Sequence, residues 1–416
     1  MIIRGKVPGT ESLMDVLVEN GKVIQVSPHQ ERSSCGRNVP RKPRLVGGVK
    51  GHNMKGNHLP GKPRPVAEEL HFGRDDLYLC SGFLDPQVNG FAGVDFNSPR
   101  LSHEGLRRAA LSLASTGITH FLPTLITSSD EKMLRQLRII GDALRNDPLL
   151  RHMCLGIHLE GPYISPEEGP RGVHLREFIR LPQWKELERF QEACGGRIKC
   201  LTLAPEVKGA IPFIKKAAAH GMVIGIGHTD ASEEVLDAAV QAGARLSCHL
   251  GNASSKPPFH HQDPIQKQLA MDQLMASIIT DGIHLPPDVV NHYIQAKGVD
   301  RIILTTDSMA GAGAPPGRYT LGDLEVEVGP DRAARLAGTS RLAGSTLTMD
   351  RAITNVIRFA GIDLNSAIHM AAKNAQKLFP GVGGEIAPGH SADLVLLEYQ
   401  KELVVRSTWI EGEKIF

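Results

Sequence analysis

The chain has 416 residues, is 41% hydrophobic, and balances 47 Lys and Arg against 45 Asp and Glu for a formal net charge of +2. So small a surplus removes the electrostatic case for nucleic acid or an acidic membrane surface, and a small molecule is the expected partner. No run of 18 apolar residues occurs and the start, MIIRGKVPGT, lacks a signal-type apolar core, so a soluble, cytoplasmic protein is expected. The six cysteines form no CxxC pair, which reads as reduced, mostly buried thiols rather than a disulfide framework.

The first 34 residues contain MIIRGKV and MDVLVENGKVIQV, alternating or β-rich runs broken by a turn at Asn20–Gly21. The end of the chain, ADLVLLEYQ and LVVRSTWIEGEKIF, reads the same way. Both termini therefore build one small antiparallel β-domain, expected as a β-sandwich. Residues 32–67 hold nine Lys or Arg and no acid among many Gly, Pro and Asn. Such composition buries little apolar surface and reads as a flexible basic insertion, or as an arm that docks an anion or polymer.

From Pro86 to Ala310 short apolar runs alternate with amphipathic stretches. The strand candidates are GFLDPQV, THFLPTLI, CLGIHLE, IKCLTLAP, MVIGIGH, RLSCHL, ASIITDG and RIILTTD. Helical segments separate most of them, as in SEEVLDAAVQAGA, with Ser232 as its cap and Gly243 as its stop. Eight strands in βα order predict a closed (β/α)8 barrel. The expected division is 1–80 and 385–416 for the β-domain and 81–384 for the barrel.

Polar residues just past the C-terminal ends of barrel strands line the active site of that fold. Four candidates sit there: Glu160, His228, His249 and Asp307. Two imidazoles and one carboxylate are the ligand set of a catalytic zinc with one position left open. Each alone could equally satisfy hydrogen bonds at a strand end, but four on one barrel face point to function. Asp307, on the last strand, is the general acid/base that water activation needs. His284, in ITDGIHLPP, is a donor for a developing oxyanion or a surface cap of the following helix. His158 shares a face with Glu160 and either points into the mouth or packs. Together these residues describe hydrolysis of an amide.

The motifs SGFLDPQVNG, GITHFLPTLITS, HLEGPYI with RGVH, GHTDAS, HLGNA, DGIHLPP, TTDSMAGAGAPPGRYTLG and LAGSTLTMD resemble, in this order, the N-acetylglucosamine-6-phosphate deacetylase family of the amidohydrolase superfamily. The resemblance implies a metal site of Glu160, His228 and His249, with Asp307 as the catalytic aspartate. It further implies substrate contacts from His174, Asn252, Ala253, His284, Leu342, Ala343 and Gly344, and a homodimer. The superfamily's first-strand His-x-His is replaced here by Gln87 and Asn89, weak ligands for such a cation, which implies a site for one ion; both Zn2+ and Fe2+ accept the remaining ligands.

One departure bears on the substrate. Where the family has an arginine for the sugar phosphate, this chain has Gln262 in GNASSKPPFHHQDP, and glutamine cannot make a charged fork on a phosphate. Lys256, in a spacer about two residues longer, offers a point charge instead. His260 and His261 lie further along the same loop. Three readings follow: a deacetylase of N-acetylglucosamine 6-phosphate, a deacetylase of an unphosphorylated N-acetyl sugar or other N-acyl amine, and a catalytically silent scaffold. Keeping all four strand-end residues serves no scaffold purpose, which favours an enzyme.

Overall fold

Eight parallel strands run in sequence order from Phe83–Val88 through Ile118–Ile126, Ile157–Glu160, Ile198–Leu203, Val223–Ile226, Ala244–Ser247 and Met275–Ile278 to Ile302–Leu304. The computed structural model describes residues 1–29, 71–253, 263–381 and 384–416. The basic segment 32–67 lies outside the described residues, as do Cys35, Lys256, His260, His261 and Gln262. The first and eighth strands meet through a parallel bridge between Val88 and Ser308. There the N–H groups of Asn89 and Gly90 donate to the Ser308 carbonyl at 2.8 and 3.2 Å, so the expected barrel closes at its mouth.

Asp85 strengthens that seam. Its carboxylate accepts the hydroxyls of Thr305 and Thr306 at 2.7 and 2.5 Å and the N–H of Gln87 at 3.2 Å. Even with these donors, burial pushes its pKa up to about 6.

The barrel interior is divided along its axis. Leu84, Leu122, Cys200, Leu246, Met275 and Ile303, one from each of six strands, pack with Ala375 and Phe379 into an apolar plug separate from the shell between strands and helices. Above it the inward positions turn polar, and this division sets the depth of the functional site. His158 belongs to that polar layer: Nε2 lies 2.8 Å from the Thr202 hydroxyl and Nδ1 3.2 Å from the Pro86 carbonyl. Both ring nitrogens are used inside the barrel, so His158 packs rather than lining the mouth.

The helix read from SEEVLDAAVQAGA spans Glu233–Ala242. Ser232 holds the extended N-cap conformation without a side-chain capping bond, and Gly243 ends the helix at φ 119°, a left-handed stop that glycine adopts without steric cost. The cysteines follow expectation: Cys80, Cys154, Cys194, Cys200 and Cys248 are free and buried. Among the described residues no helix is long and apolar enough to cross a membrane.

Both termini join in one seven-stranded sheet. Its spatial order is Glu413–Lys414, Leu403–Ile410, Leu394–Tyr399, His71–Ser81, Ile2–Val7, Ser12–Glu19, Lys22–Pro28. All neighbours are antiparallel except Ile2–Val7 against His71–Ser81, which run parallel. The purely antiparallel expectation fails at that pair because two strands and residues 29–70 intervene, and a connection that long permits a parallel neighbour. Ile3, Val16, Leu79, Leu396 and Trp409 form the apolar face of this sheet.

A second element was not legible as structure. After the eighth strand, Gly317–Leu321, Leu324–Val328 and Ala334–Leu336 form a three-stranded antiparallel sheet. Its Leu321, Val326 and Val328 pack on Met309, Ala343 and Ile126 and wall one side of the mouth. The glycines and prolines of AGAGAPP directly before it are turn-type residues that mask the alternation in GRYTLGDLEVEV.

Candidate active site

The ends of the third, fifth, sixth and eighth strands deliver Glu160, His228, His249 and Asp307 to one mouth, each no more than 5% exposed. Three of them leave their strands in the left-handed region, His228 at φ 52°, His249 at φ 31° and Asp307 at φ 48°. Such backbone costs on the order of 1–3 kcal/mol per residue and persists only where the surroundings fix it. Here Ser165 N–H donates to the His228 carbonyl at 3.0 Å, Ser345 N–H to the Asp307 carbonyl at 2.9 Å, and His249 N–H to the Ser277 hydroxyl at 2.8 Å. The left-handed turn swings each side chain over the barrel axis.

The imidazoles converge on one oxygen. His228 Nε2 lies 2.9 Å and His249 Nε2 2.7 Å from Glu160 Oε1. The other nitrogen of His228 faces the Pro170 carbonyl at 2.9 Å and must donate to it. A neutral His228 therefore points an Nε2 lone pair at a carboxylate oxygen, an arrangement that only a proton or a cation between them relieves. His249 Nδ1 is buried without a partner. Burial opposes the Glu160 charge, but the two imidazoles outweigh it and hold its carboxyl well below the usual range. Two imidazole nitrogens and an ionised carboxylate, all within 4.8 Å of one another, are a donor set that holds a divalent metal.

Asp307 is held from the first strand. Its Oδ1 accepts Gln87 Nε2 at 2.9 Å and Asn89 Nδ2 at 2.7 Å. Burial, then the charge of Glu160, raises its pKa above the ordinary aspartate value. Gln87 and Asn89, recognisable in sequence only as poor metal ligands, are thus the donors that orient a carboxylate from across the barrel seam. That role requires knowing that the first and eighth strands touch.

A small cavity above these groups is lined by Glu160, His228, Asp307, His174, Asn252, Ala253, Leu342 and Gly344, with Asn89, Ile126, Gly172, Val173 and Leu321 completing it. His174, Asn252, Ala253, Leu342 and Gly344, singled out as substrate contacts, are brought together here. Ala343 is fully buried behind the wall and donates its N–H to the Ala334 carbonyl at 3.0 Å. His174 stacks edge-on at 4.4 Å against His228, its Nδ1 has no partner, and burial, then the neighbouring His228, pushes its pKa down to about 3. A neutral imidazole with a free nitrogen therefore lies beside the ligand cluster.

His284 does not line this cavity, yet it is close enough for its charge to act on Asp307. Its Nδ1 lies 2.7 Å from Asp281 Oδ2, while Asp281 Oδ1 accepts the N–H groups of Ile283 and His284 at 2.8 Å each. The helix-cap reading of His284 is not what these contacts describe. Asp281, three residues earlier in ITDGIHLPP, was missed; a carboxylate at that spacing from a candidate histidine was the available signal.

Residues 78–415 match the amidohydrolase family. An N-acetylglucosamine-6-phosphate deacetylase of Lysinibacillus sphaericus is 34% identical over 349 residues, 81% of this chain and 87% of that protein. An N-acetylgalactosamine-6-phosphate deacetylase of Escherichia coli O157:H7 is 32% identical over 345 residues, 82% of this chain and 88% of that protein. The fold matches a solved structure of an N-acetyl-D-glucosamine-6-phosphate deacetylase variant from Mycobacterium smegmatis in complex with N-acetyl-D-glucosamine-6-phosphate. The TM-score is 0.82 at 26% identity, covering 100% of this chain and 99% of that one.

Proposed function

This chain belongs to the N-acetylglucosamine-6-phosphate deacetylase family of the amidohydrolases, and from that premise we propose that it hydrolyses the acetamide of N-acetylglucosamine 6-phosphate to glucosamine 6-phosphate and acetate. The observation that carries the reading is the convergence of His228 and His249 on Glu160, facing an Asp307 that Gln87 and Asn89 orient.

Glu160, His228 and His249 would hold one divalent ion, Zn2+ by ligand type with Fe2+ also accepted; such an ion supplies Lewis acidity that brings the pKa of water from ~15.7 to near ~7 and polarises a carbonyl. Asp307 takes the proton of the attacking water, and the two amide donors on Oδ1 leave Oδ2 to do so. The same carboxyl group then passes the proton to the departing amine. His284, its Nδ1 held by the Asp281 carboxylate, can serve the acetamide oxygen from Nε2 as the imidazolium, the form in which both ring nitrogens donate. His174, Asn252, Ala253 and the Leu342–Gly344 segment position the sugar against these groups. At its phosphate end Gln262 stands where the family has an arginine, and Lys256 offers a point charge in its place.

A second substrate has support from one observation, the similarity to an N-acetylgalactosamine-6-phosphate deacetylase at 32% identity. Purified chain supplied with zinc should release acetate from N-acetylglucosamine 6-phosphate with a higher kcat/KM than from N-acetylgalactosamine 6-phosphate or plain N-acetylglucosamine. A higher value for the galacto epimer would transfer the assignment to it, and a higher value for plain N-acetylglucosamine would remove the phosphate from the reading. Cytoplasmic residence and a homodimer complete the proposal; light scattering on the purified chain tests the dimer.

A further inference from the structure

A second group of two histidines and a carboxylate lies where the barrel meets the terminal sheet. His120 is on the second barrel strand, paired with Leu84 near the start of the first. His152 is in the short helix Pro148–Met153, and Asp393 immediately precedes the strand Leu394–Tyr399. Their ligand atoms all lie within 4.8 Å of one another. We propose that His120, His152 and Asp393 form a second divalent-cation site of the zinc type, distinct from the active site and tying the terminal sheet to the barrel.

His120 Nδ1 lies 3.0 Å from the Thr119 hydroxyl, whose oxygen is also 3.5 Å from the Phe83 carbonyl. Nδ1 thus has a polar partner, and in the tautomer protonated there Nε2 presents a lone pair to the cluster. That nitrogen is buried, has no hydrogen-bond partner, and lies 3.7 Å from Asp393 Oδ2. The residue is only 2% exposed, and a buried nitrogen left unpaired costs about 1–3 kcal/mol unless something binds it.

His152 has the complementary arrangement. Nε2 lies 2.9 and 3.0 Å from the two Asp393 oxygens, and Nδ1 lies 3.5 Å from Glu411 Oε1. A carboxylate on the far nitrogen of an imidazole fixes the ring and raises its basicity toward a metal. Asp393 is fixed too: Oδ1 accepts the Glu411 N–H at 2.9 Å, leaving Oδ2 turned toward both rings. Ligands of a tetrahedral zinc, bound at ~2.0–2.1 Å, lie about 3.3 Å apart, and the separations from Asp393 Oδ2 to His152 Nε2 and His120 Nε2, 3.0 and 3.7 Å, fall on either side of that value. A cavity lined by Arg151, His152, Leu155, His390, Ser391 and Asp393 gives an ion a way in and room for a water as fourth ligand. The N-terminal face of such a barrel serves stability and its C-terminal face chemistry, which suits a structural role for this ion.

The test uses the full chain with the active-site ligands removed by His228→Asn and His249→Asn, titrated with Zn2+, and with Co2+ for its tetrahedral visible bands. After dialysis this variant should retain one equivalent of metal per chain and melt at a higher temperature with zinc than without. Adding His152→Gln should abolish both the equivalent and the melting shift. The His152 side chain is 19% exposed and glutamine keeps a polar group facing Asp393, so the substitution opens no apolar cavity. His152→Gln alone should keep deacetylation within about twofold of the unmodified chain. A folded double variant that binds no metal would overturn the site, and so would an equivalent that survives both His152→Gln and Asp393→Asn. In either case the cluster is a plain imidazole–carboxylate ion pair.

Discussion

Two histidine pairs, each with one carboxylate, occupy opposite ends of the same barrel and are assembled differently. On the second strand His120 pairs with Leu84 while Ile126 pairs with Glu160; six residues at ~3.3 Å each put the two levels roughly 20 Å apart. The mouth group takes one residue from each of three strand ends, three equivalent positions in a repeating architecture. The junction group takes one residue each from a strand, a helix and the terminal sheet. The mouth group also has a further carboxylate, Asp307, aimed into its cavity, whereas the further carboxylate at the junction, Glu411, faces the far nitrogen of His152 and does not line the cavity there. Given a metal, the first arrangement can activate water and remove its proton, and the second can only hold.

The largest expected effect lies at the mouth. Asp307→Asn should lower kcat by about 10²–10⁴, the usual contribution of a positioned general acid/base, with the metal content of the same sample unchanged. Loss of metal in that variant would make Asp307 a ligand rather than a base. Next come the residues that aim it. Gln87→Ala or Asn89→Ala removes one hydrogen bond to a charged group, worth about 1.5–3 kcal/mol, so kcat should fall about 10- to 100-fold with KM little moved. A change confined to KM would place these side chains on the substrate instead.

The smallest effect belongs to the junction and has a defined pH window in the metal-free chain. Burial disfavours a charge on His152, but its bond to Asp393 outweighs this and raises its pKa; the same bond, against burial, lowers that of Asp393. The His152 contribution is complete below its unfolded value of about 6.5 and is lost as pH rises through the raised value; the Asp393 contribution is complete above about 3.9 and is lost as pH falls through the lowered one. His120, which burial pushes down to about 4, works oppositely as pH falls below 6.5 and is present in both chains compared. The stability difference between the unmodified chain and His152→Gln should therefore be greatest between about pH 4 and 6.5, on the order of 1 kcal/mol. A difference that is flat from pH 4 to 9 would show that the pair does not act as an ion pair.

The same contrast explains what sequence could and could not disclose. The barrel and the mouth quartet were legible because βα periodicity locates strand ends, and the fold assigns active-site function to that position. Gln87 and Asn89 were visible as substitutions, but their bonds to Asp307 depend on strand closure between residues some 220 apart in sequence. Asp281 lies in a turn three residues before His284, where an aspartate also reads as an ordinary loop residue, and only the folded contact shows that it orients the ring. The left-handed backbone at His228, His249 and Asp307 left no composition signal, since none of the three is glycine. The junction group is the extreme case: His120, His152 and Asp393 share no spacing, and only the folded chain brings residues 241 apart into contact.

We propose that a single divalent ion in the mouth serves hydrolysis of N-acetylglucosamine 6-phosphate. The most direct measurement strips all metal from the His152→Gln chain and follows acetate release as zinc is added back. Activity should be absent without metal, rise linearly, and saturate at one equivalent per chain. Full activity in the stripped chain, or a rise that saturates only at two, would contradict it.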